Sequence, residues 1–222
     1  MERWATFDCY GTLIDWNGGI HAELARVFGD DDAGWLLKRF HRIEPELQAD
    51  GKLSYREVLT RTLERLAEEE NVELPEPDRD ALVSSLPAWQ PFHEVSTELE
   101  ESRRRRWKLA ILSNSDSDLI AASQRQIGVP FDEVIVAGEI GSYKPDHGHW
   151  KEFFRRTEAP REGHVHVAAS LFHDITPANE LGLRSVWINR LDEHRTPDAA
   201  APDRELPDLR GLADVLDELV AA

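Results

Sequence analysis

The chain has 222 residues, with 43 Asp and Glu against 26 Lys and Arg, and a formal net charge of -17 at pH 7. Nucleic acids and anionic membranes would repel so acidic a chain, which excludes both as expected partners. No apolar run approaches the length of a membrane span. The one cysteine, Cys9, cannot form an internal disulfide. No basic and apolar leader precedes the first predicted strand, so we expect a cytoplasmic protein.

The stretch 5–15 has the pattern of a short buried strand that ends in a carboxylate. Apolar residues lead into Asp8, and the turn residues Gly11 and Thr12 follow at once. In open α/β sheets, chemistry is usually found at the carboxyl ends of the strands. Asp8 is therefore a candidate functional residue. The alternative is an Asp that only caps the next turn.

Residues 16–90 show helical spacing and no strand-like run. Ile20 and Leu24 begin the pattern, and Ser54 can cap a further helix whose apolar positions follow at helical intervals. Pro75 and Pro77 then break the chain. These features predict a helical bundle, residues 16–90, inserted into a core that is formed by residues 1–15 and 91–222.

Strand and helix patterns alternate after residue 91. The apolar runs predict strands over 107–112, 133–137, 164–169 and 185–189, with helices between them. A Pro- and Asp-rich loop over 196–207 precedes a last helix over 212–220. Alternating strands and helices predict an α/β fold with a doubly wound, Rossmann-like parallel sheet.

Polar side chains follow four of the predicted strands. Each alone has an ordinary structural explanation as a turn residue, an exposed loop residue or a helix N-cap. Because the carboxyl ends of parallel strands share one edge of the sheet, we expect these side chains to converge. They are Asp8, Ser113, Asn114, Lys144, Ser170 and Asp174.

The order of these groups resembles that of the haloacid dehalogenase superfamily of hydrolases. The resemblance rests on Asp-Cys-Tyr-Gly-Thr-Leu at 8–13, the helical insertion, Leu-Ser-Asn at 112–114, Tyr-Lys-Pro-Asp at 143–146 and the Asp174 helix. The first loop is most similar to that of the L-2-haloacid dehalogenases, which work without a metal or other cofactor. The resemblance implies a hydrolase that converts a small anionic 2-haloacid to a 2-hydroxy acid and halide, with a homodimer as one expected assembly.

Phosphatases of the same superfamily are the alternative, acting on a small phosphorylated metabolite. They carry a second Asp two residues after the first, which protonates the leaving group, and an acidic residue after the fourth strand; the acidic residues hold Mg²⁺. Here Tyr10 and Ala169 occupy those places. A phosphate dianion beside Asp8 without Mg²⁺ would be repelled, so both replacements favour dehalogenation. A third alternative is a binding module that keeps the fold without catalysis.

The resemblance also implies the residue roles. Asp8 would be the nucleophile, Lys144 would stabilise its charge, and Asp174 would orient or activate the hydrolytic water. Arg39 on the inserted helical bundle, the cap, would receive the halide, with Arg42 and Lys38 as alternatives. The remaining groups would hold the substrate or the Asp8 carboxylate. These are Thr12, Ser113, Asn114, Ser170 and the N–H groups after Asp8, at Cys9 and Tyr10. The Cys9 side chain itself should point to the opposite face of the strand, as core filler.

Overall fold

The computed structural model describes residues 1–49, 51–196 and 200–220. Within these ranges six parallel strands form one sheet in the order β3-β2-β1-β4-β5-β6. The strands are β1 (Arg3–Phe7), β2 (Trp107–Ser113), β3 (Glu133–Val136), β4 (His164–Ala168), β5 (Arg184–Ile188) and β6 (Arg204–Leu206). Helices separate the strands along most of the chain, which confirms the predicted doubly wound α/β core.

Both faces of the sheet are buried. Successive side chains of a strand point to opposite faces, and β1 divides its residues accordingly. Ala5 and Phe7 belong to one apolar cluster, whereas Trp4 belongs to a second cluster with Ala110 and Leu112 of β2. The six helices of the core that cover these faces are α5 (Val95–Arg104), α6 (Ser117–Ile127), α7 (Ala137–Ile140), α8 (Gly148–Thr157), α9 (Thr176–Glu180) and α10 (Leu212–Leu219).

The centre of the sheet positions Asp8. Phe7 is in register with Ile111 of β2 on one side and Val167 of β4 on the other. Because the strand order reverses at β1, the loops after β1, β2 and β4 part there and leave a crevice. Asp8 follows Phe7 directly and therefore enters this crevice.

The sixth strand differs from the sequence-based prediction. Residues 196–207 were predicted to be a loop, but β6 forms within them and pairs with β5 from Val186 to Ile188. Arg204–Leu206 shows no alternation of apolar and polar residues. As a short strand at the edge of the sheet, it is largely exposed to solvent and buries little apolar surface. Residues 197–199 of the predicted loop lie outside the described residues.

The chain between β1 and α5 is helical, as predicted. It contains α1 (Trp16–Phe28), α2 (Asp30–Gln48), α3 (Tyr55–Glu70) and α4 (Ala81–Ser85). Ser54 caps α3, with its hydroxyl bonded to the Glu57 N–H and the Glu57 carboxylate bonded back to the Ser54 N–H. The two ends of this segment meet, since the Asp15 N–H donates to the Gln90 carbonyl at 2.9 Å. No described helix is long and apolar enough to cross a membrane.

Candidate active site

Asp8 lies at the floor of the crevice with both carboxylate oxygens engaged. Oδ1 accepts a hydrogen bond from Lys144 Nζ at 2.9 Å, and Oδ2 accepts one from Thr12 Oγ1 at 2.8 Å. Thr12 is fully buried and its hydroxyl oxygen also accepts from the Ala169 N–H at 2.9 Å. The Asp8 side chain keeps 13% of its surface exposed, toward the crevice. The carboxylate is thus oriented from two sides while remaining accessible.

Lys144 is the cation at the centre of the site. Its ammonium uses all three donors, bonding Asp8 Oδ1 at 2.9 Å, the Leu112 carbonyl at 2.9 Å and Asp174 Oδ1 at 2.6 Å. Burial alone would lower the pKa of Lys144, but Asp174 and Asp8 raise it above its ordinary value. The side chain therefore stays charged at neutral pH and neutralises part of the charge of two carboxylates.

Asn114 fixes the backbone from which Lys144 projects. Its amide oxygen accepts from the Lys144 N–H at 2.6 Å, and its Nδ2 donates to the Lys144 carbonyl at 2.9 Å. This paired contact joins the end of β2 to the loop after α7. Asn114 therefore positions Lys144, in addition to lining the crevice.

Asp174 is 1% exposed and is held from the protein interior. Its Oδ1 also accepts from His166 Nε2 at 3.0 Å, and His166 Nδ1 lies 2.8 Å from the Thr6 hydroxyl. Burial alone would raise the pKa of Asp174, but Lys144 and His166 hold it well below its usual range. Asp174 is consequently ionised and a weak proton acceptor.

A π-helical turn, Leu171–Ile175, carries Asp174 into the site. Ser170 begins the turn, and its hydroxyl oxygen accepts from the His173 N–H at 3.0 Å. The Ile175 N–H reaches back five residues to the Ser170 carbonyl. The wider turn lets two consecutive side chains, His173 and Asp174, face the crevice.

The crevice encloses a cavity of about 260 Å³ between the strand ends and the helical segment. One wall is aromatic: Tyr10 stacks on Tyr55 with ring centroids 5.7 Å apart, and Trp16 Nε1 donates to the Tyr55 hydroxyl at 2.8 Å. Helix α2 covers the opening with one face. That face consists of His41, Glu44, Pro45 and Gln48.

Comparison with known proteins identifies the family. The sequence profile of the haloacid dehalogenase-like hydrolases matches residues 3–182. The chain belongs to this family. It is 25% identical over 220 residues to an (S)-2-haloacid dehalogenase of Pseudomonas sp. strain YL, covering 95% of this chain and 93% of the relative. A phosphoserine phosphatase of Thermus thermophilus is 32% identical, but only over 126 residues, 54% of this chain and 48% of the relative.

The fold of this haloacid dehalogenase-like hydrolase matches solved dehalogenases over nearly the whole chain. The L-2-haloacid dehalogenase from Xanthobacter autotrophicus superposes with a TM-score of 0.86 at 19% identity, over 97% of this chain and 98% of that one. The match includes the residue range of the helical segment and not only the sheet.

Seven of the ten predicted site residues line this cavity, and three do not. Asp8, Tyr10, Ser113, Asn114, Lys144, Ser170 and Asp174 line it, and Thr12 supports it from below. The Cys9 side chain is fully buried in the apolar core, so Cys9 offers only its backbone to this site. Arg39 does not reach the cavity.

The structure corrects the predicted place of Arg39. Its guanidinium bonds Glu70 Oε1 at 2.6 Å, contacts Glu69 and lies over the Trp35 ring at 4.5 Å. Arg39 is two residues from His41, which puts it about 160° around α2 from the face that covers the cavity. Two carboxylates at the end of α3 hold it there. The alternatives Arg42 and Lys38 are exposed on α2 and do not line the cavity either.

Sequence analysis missed several groups that shape the site. His41, Glu44 and Gln48 repeat at the helical intervals of three and four, a signal that marks one face of α2 without saying what it covers. Arg190 directly follows the predicted strand over 185–189 and was not predicted to have a role. It bonds the Thr12 carbonyl through Nη2 at 2.8 Å and pairs with Glu94 at 2.7 Å, which supports the Asp8 loop from behind.

The residues present do not fit the Mg²⁺ site of the phosphatase members. Tyr10 and Ala169 supply no carboxylate, and burial raises the pKa of the Tyr10 phenol far above its ordinary value. Asp8 and Asp174 already share the Lys144 ammonium. In the part of the chain that the structure describes, no three His, Cys, Asp or Glu side chains are grouped to hold a metal ion.

Proposed function

We propose that this protein is a metal-independent hydrolytic dehalogenase of 2-haloalkanoic acids, with Asp8 as its nucleophile. The observation that carries the proposal is the Asp8 carboxylate, held by Lys144 and Thr12 at the floor of a small cavity with no second carboxylate at position 10. The (S)-2-haloacid dehalogenase of Pseudomonas, which aligns with almost the whole chain, supports it.

In the first step, an Asp8 oxygen attacks C2 of the substrate and the halide leaves with the electron pair of the carbon–halogen bond. The product of this step is an ester of Asp8, and C2 is inverted. Ser113 and the backbone N–H groups after Asp8 would bind the substrate carboxylate. Thr12 and Lys144 hold the attacking carboxylate in place, so little reorganisation is needed.

In the second step, water attacks the carboxyl carbon of the ester. The bond between this carbon and the substrate oxygen breaks, and the 2-hydroxy acid leaves with an oxygen that came from Asp8. Because Asp174 is a weak proton acceptor, we assign it to orienting the water. Burial lowers the pKa of His173, so its imidazole is neutral at pH 7, can accept the water proton and can return it to the departing alkoxide, which leaves as the hydroxy acid.

We also propose that the chain is divided into two domains. Residues 16–90 form a cap over the cavity, and residues 1–15 and 91–222 form the catalytic core. The backbone pairing at residues 15 and 90 supports this division, because the cap then leaves and rejoins the core at one place. We further propose a cytoplasmic enzyme that forms a homodimer, and light scattering on a size-exclusion column tests the dimer.

Phosphatase activity is the alternative, and the similarity to the Thermus phosphatase over about half of the chain favours it. The test measures halide release from 2-chloro- and 2-bromopropionate, and p-nitrophenyl phosphate hydrolysis, each with Mg²⁺ and with EDTA. We expect halide release that EDTA leaves unchanged. Hydrolysis of p-nitrophenyl phosphate that needs Mg²⁺, without any halide release, would refute the dehalogenase.

A further inference from the structure

The cap presents an unpaired carboxyl group to the cavity. Glu44 lies on the face of α2 that covers the site, between His41 and Gln48. It is 6% exposed, and no hydrogen bond or ion pair joins its carboxyl group to residues 1–49, 51–196 or 200–220. A carboxyl group that is mostly buried and faces a cavity without a protein partner is suited to a ligand that supplies the partner.

The groups around Glu44 leave it available. The Tyr55 hydroxyl accepts from Trp16 and the Tyr10 hydroxyl accepts from Ser123 at 3.2 Å, and among the described residues neither hydroxyl forms a hydrogen bond with Glu44. The titratable or charged groups that line the same cavity come from α2, from α3 and from the loops of the core. They are His41, Tyr55, Asp8, Tyr10, Lys144, His173 and Asp174.

Glu44 reaches the cavity from α2, and Asp8 reaches it from the end of β1. An in-line displacement at carbon requires the leaving group to depart on the side away from the nucleophile, and we assign that side to α2. Among the described residues, no arginine lines the cavity, and its one ammonium, Lys144, is already bonded to Asp8 and Asp174. The departing halide therefore needs a hydrogen-bond donor on the cap side, and Glu44 offers one when it is protonated.

Ionised Glu44 would have the opposite effect. It would add a negative charge to a cavity that holds two carboxylates against one ammonium, and it would repel both an anionic substrate and a halide. Burial raises the pKa of Glu44 to about 7. The carboxyl group is therefore largely neutral in mildly acidic solution and charged in mildly alkaline solution.

We propose that Glu44 contacts the substrate as a neutral carboxylic acid and donates a hydrogen bond to the departing halide, so that its ionisation closes the site to anions. This inference rests on the proposed dehalogenase function. No proton is transferred in the step: the carbon–halogen electron pair leaves with the halide, and the Glu44 proton stays on its oxygen. Glu44 would thereby replace the cation that the sequence led us to seek at Arg39.

Other cavity groups should not produce the same pH dependence. Burial lowers the pKa of His41 and of His173, so both are neutral before Glu44 ionises. Burial raises the pKa of Tyr10 and Tyr55, and the carboxylates beside Lys144 raise its pKa, so none of these three loses a proton in mildly alkaline solution. A loss of activity just above neutral pH would then report on Glu44.

The experiment compares the wild type with Glu44→Gln, which keeps a hydrogen-bond donor but cannot ionise. Glu46→Gln on the same helix is the matched control, because Glu46 is exposed and pairs with Arg65 at 2.8 Å. For 2-chloropropionate, kcat/KM of the wild type and of Glu46→Gln should fall about tenfold per pH unit above the pKa of Glu44, as for one essential proton. The profile of Glu44→Gln should stay flat. An alkaline fall shared by Glu44→Gln would overturn the inference.

A second measurement tests the inference separately from the proposed function. If no 2-haloacid is turned over, the proposed function is refuted, but halide binding at Glu44 can still be measured. Chloride binding is followed by ³⁵Cl NMR line broadening with sodium chloride as the probe. Broadening by the wild type should decrease as the pH rises through neutrality, whereas Glu44→Gln should broaden the line equally at both ends of the range. Broadening that is absent, or equally pH-dependent in both proteins, would contradict a halide contact at Glu44.

Discussion

Replacing Lys144 by Met should damage both stability and catalysis. The change keeps most of the side-chain volume but removes the ammonium that bonds Asp8, Asp174 and the Leu112 carbonyl. Lys144 is 3% exposed, so the two carboxylates would lose their common cation in a water-poor site. Removing one partner of a buried ion pair typically costs about 3–5 kcal/mol. We expect that loss in the free energy of unfolding at pH 7.

Catalysis should fall as well, because Lys144 is one of two groups that orient the Asp8 carboxylate. Loss of one oriented donor at a reacting group typically lowers kcat by about 10²–10³-fold. The assays are urea unfolding followed by tryptophan fluorescence, and halide release from 2-chloropropionate. Lys151→Met is the matched control, since Lys151 is exposed on α8. If Lys144→Met unfolds like the wild type or keeps more than a tenth of its activity, the proposed role of the ammonium is wrong.

Four further perturbations test separate contacts. Thr12→Val should cost about 1–3 kcal/mol of stability and lower kcat, because Asp8 Oδ2 and the Ala169 N–H lose their partner, whereas Thr12→Ser should restore both. Arg190→Met should cost up to about 3–5 kcal/mol in urea unfolding, since it removes the cation that pairs with the 4%-exposed side chain of Glu94. His173→Gln should let the Asp8 ester accumulate in quenched-flow mass spectrometry; unchanged ester hydrolysis would exclude His173 as the base. Folding lowers the pKa of Asp174, so its ionised carboxylate should stabilise the fold fully above about pH 4, the ordinary pKa range of an Asp. The free energy of unfolding should therefore decrease as the pH falls below this value, and Asp174→Asn should lose this part of the decrease.

Residues tied to strand ends could be predicted from the sequence. Asp8, Lys144 and Asp174 come one, eight and six residues after the ends of β1, β3 and β4, and parallel strands bring their carboxyl ends to one edge whatever the helices do. The geometry among them is a tertiary property. The shared hydrogen bonds of Lys144 depend on Asn114, which fixes the Lys144 backbone from a different strand.

Residues of the cap could not be predicted in the same way. The family resemblance implied that Arg39 lies over the site, but the carboxylates of Glu69 and Glu70 at the end of α3 hold its guanidinium elsewhere. Which face of α2 covers the cavity is set by how α1, α2 and α3 pack, and helical periodicity alone cannot determine it. For the same reason the sequence does not distinguish Glu44 from an exposed helical glutamate, whereas the structure shows that it is buried.

Two local features also escaped the sequence patterns. Strand β6 has no apolar alternation and exists because it adds to the edge of β5. The π-helical turn at Leu171–Ile175 contains one residue more than an α-helical turn. The extra residue lets both His173 and Asp174 face the cavity.

The central claim is that Asp8 attacks carbon and that water then attacks the Asp8 carboxyl group. The most direct measurement is a single turnover of 2-chloropropionate in H₂¹⁸O with enzyme in excess, followed by mass spectrometry of the peptide that contains Asp8. The proposed mechanism predicts ¹⁸O in the Asp8 carboxylate and an unlabelled hydroxyl group in the product. Halide release with ¹⁸O in the product and none in Asp8 would mean that water attacks C2 directly, and would contradict the mechanism.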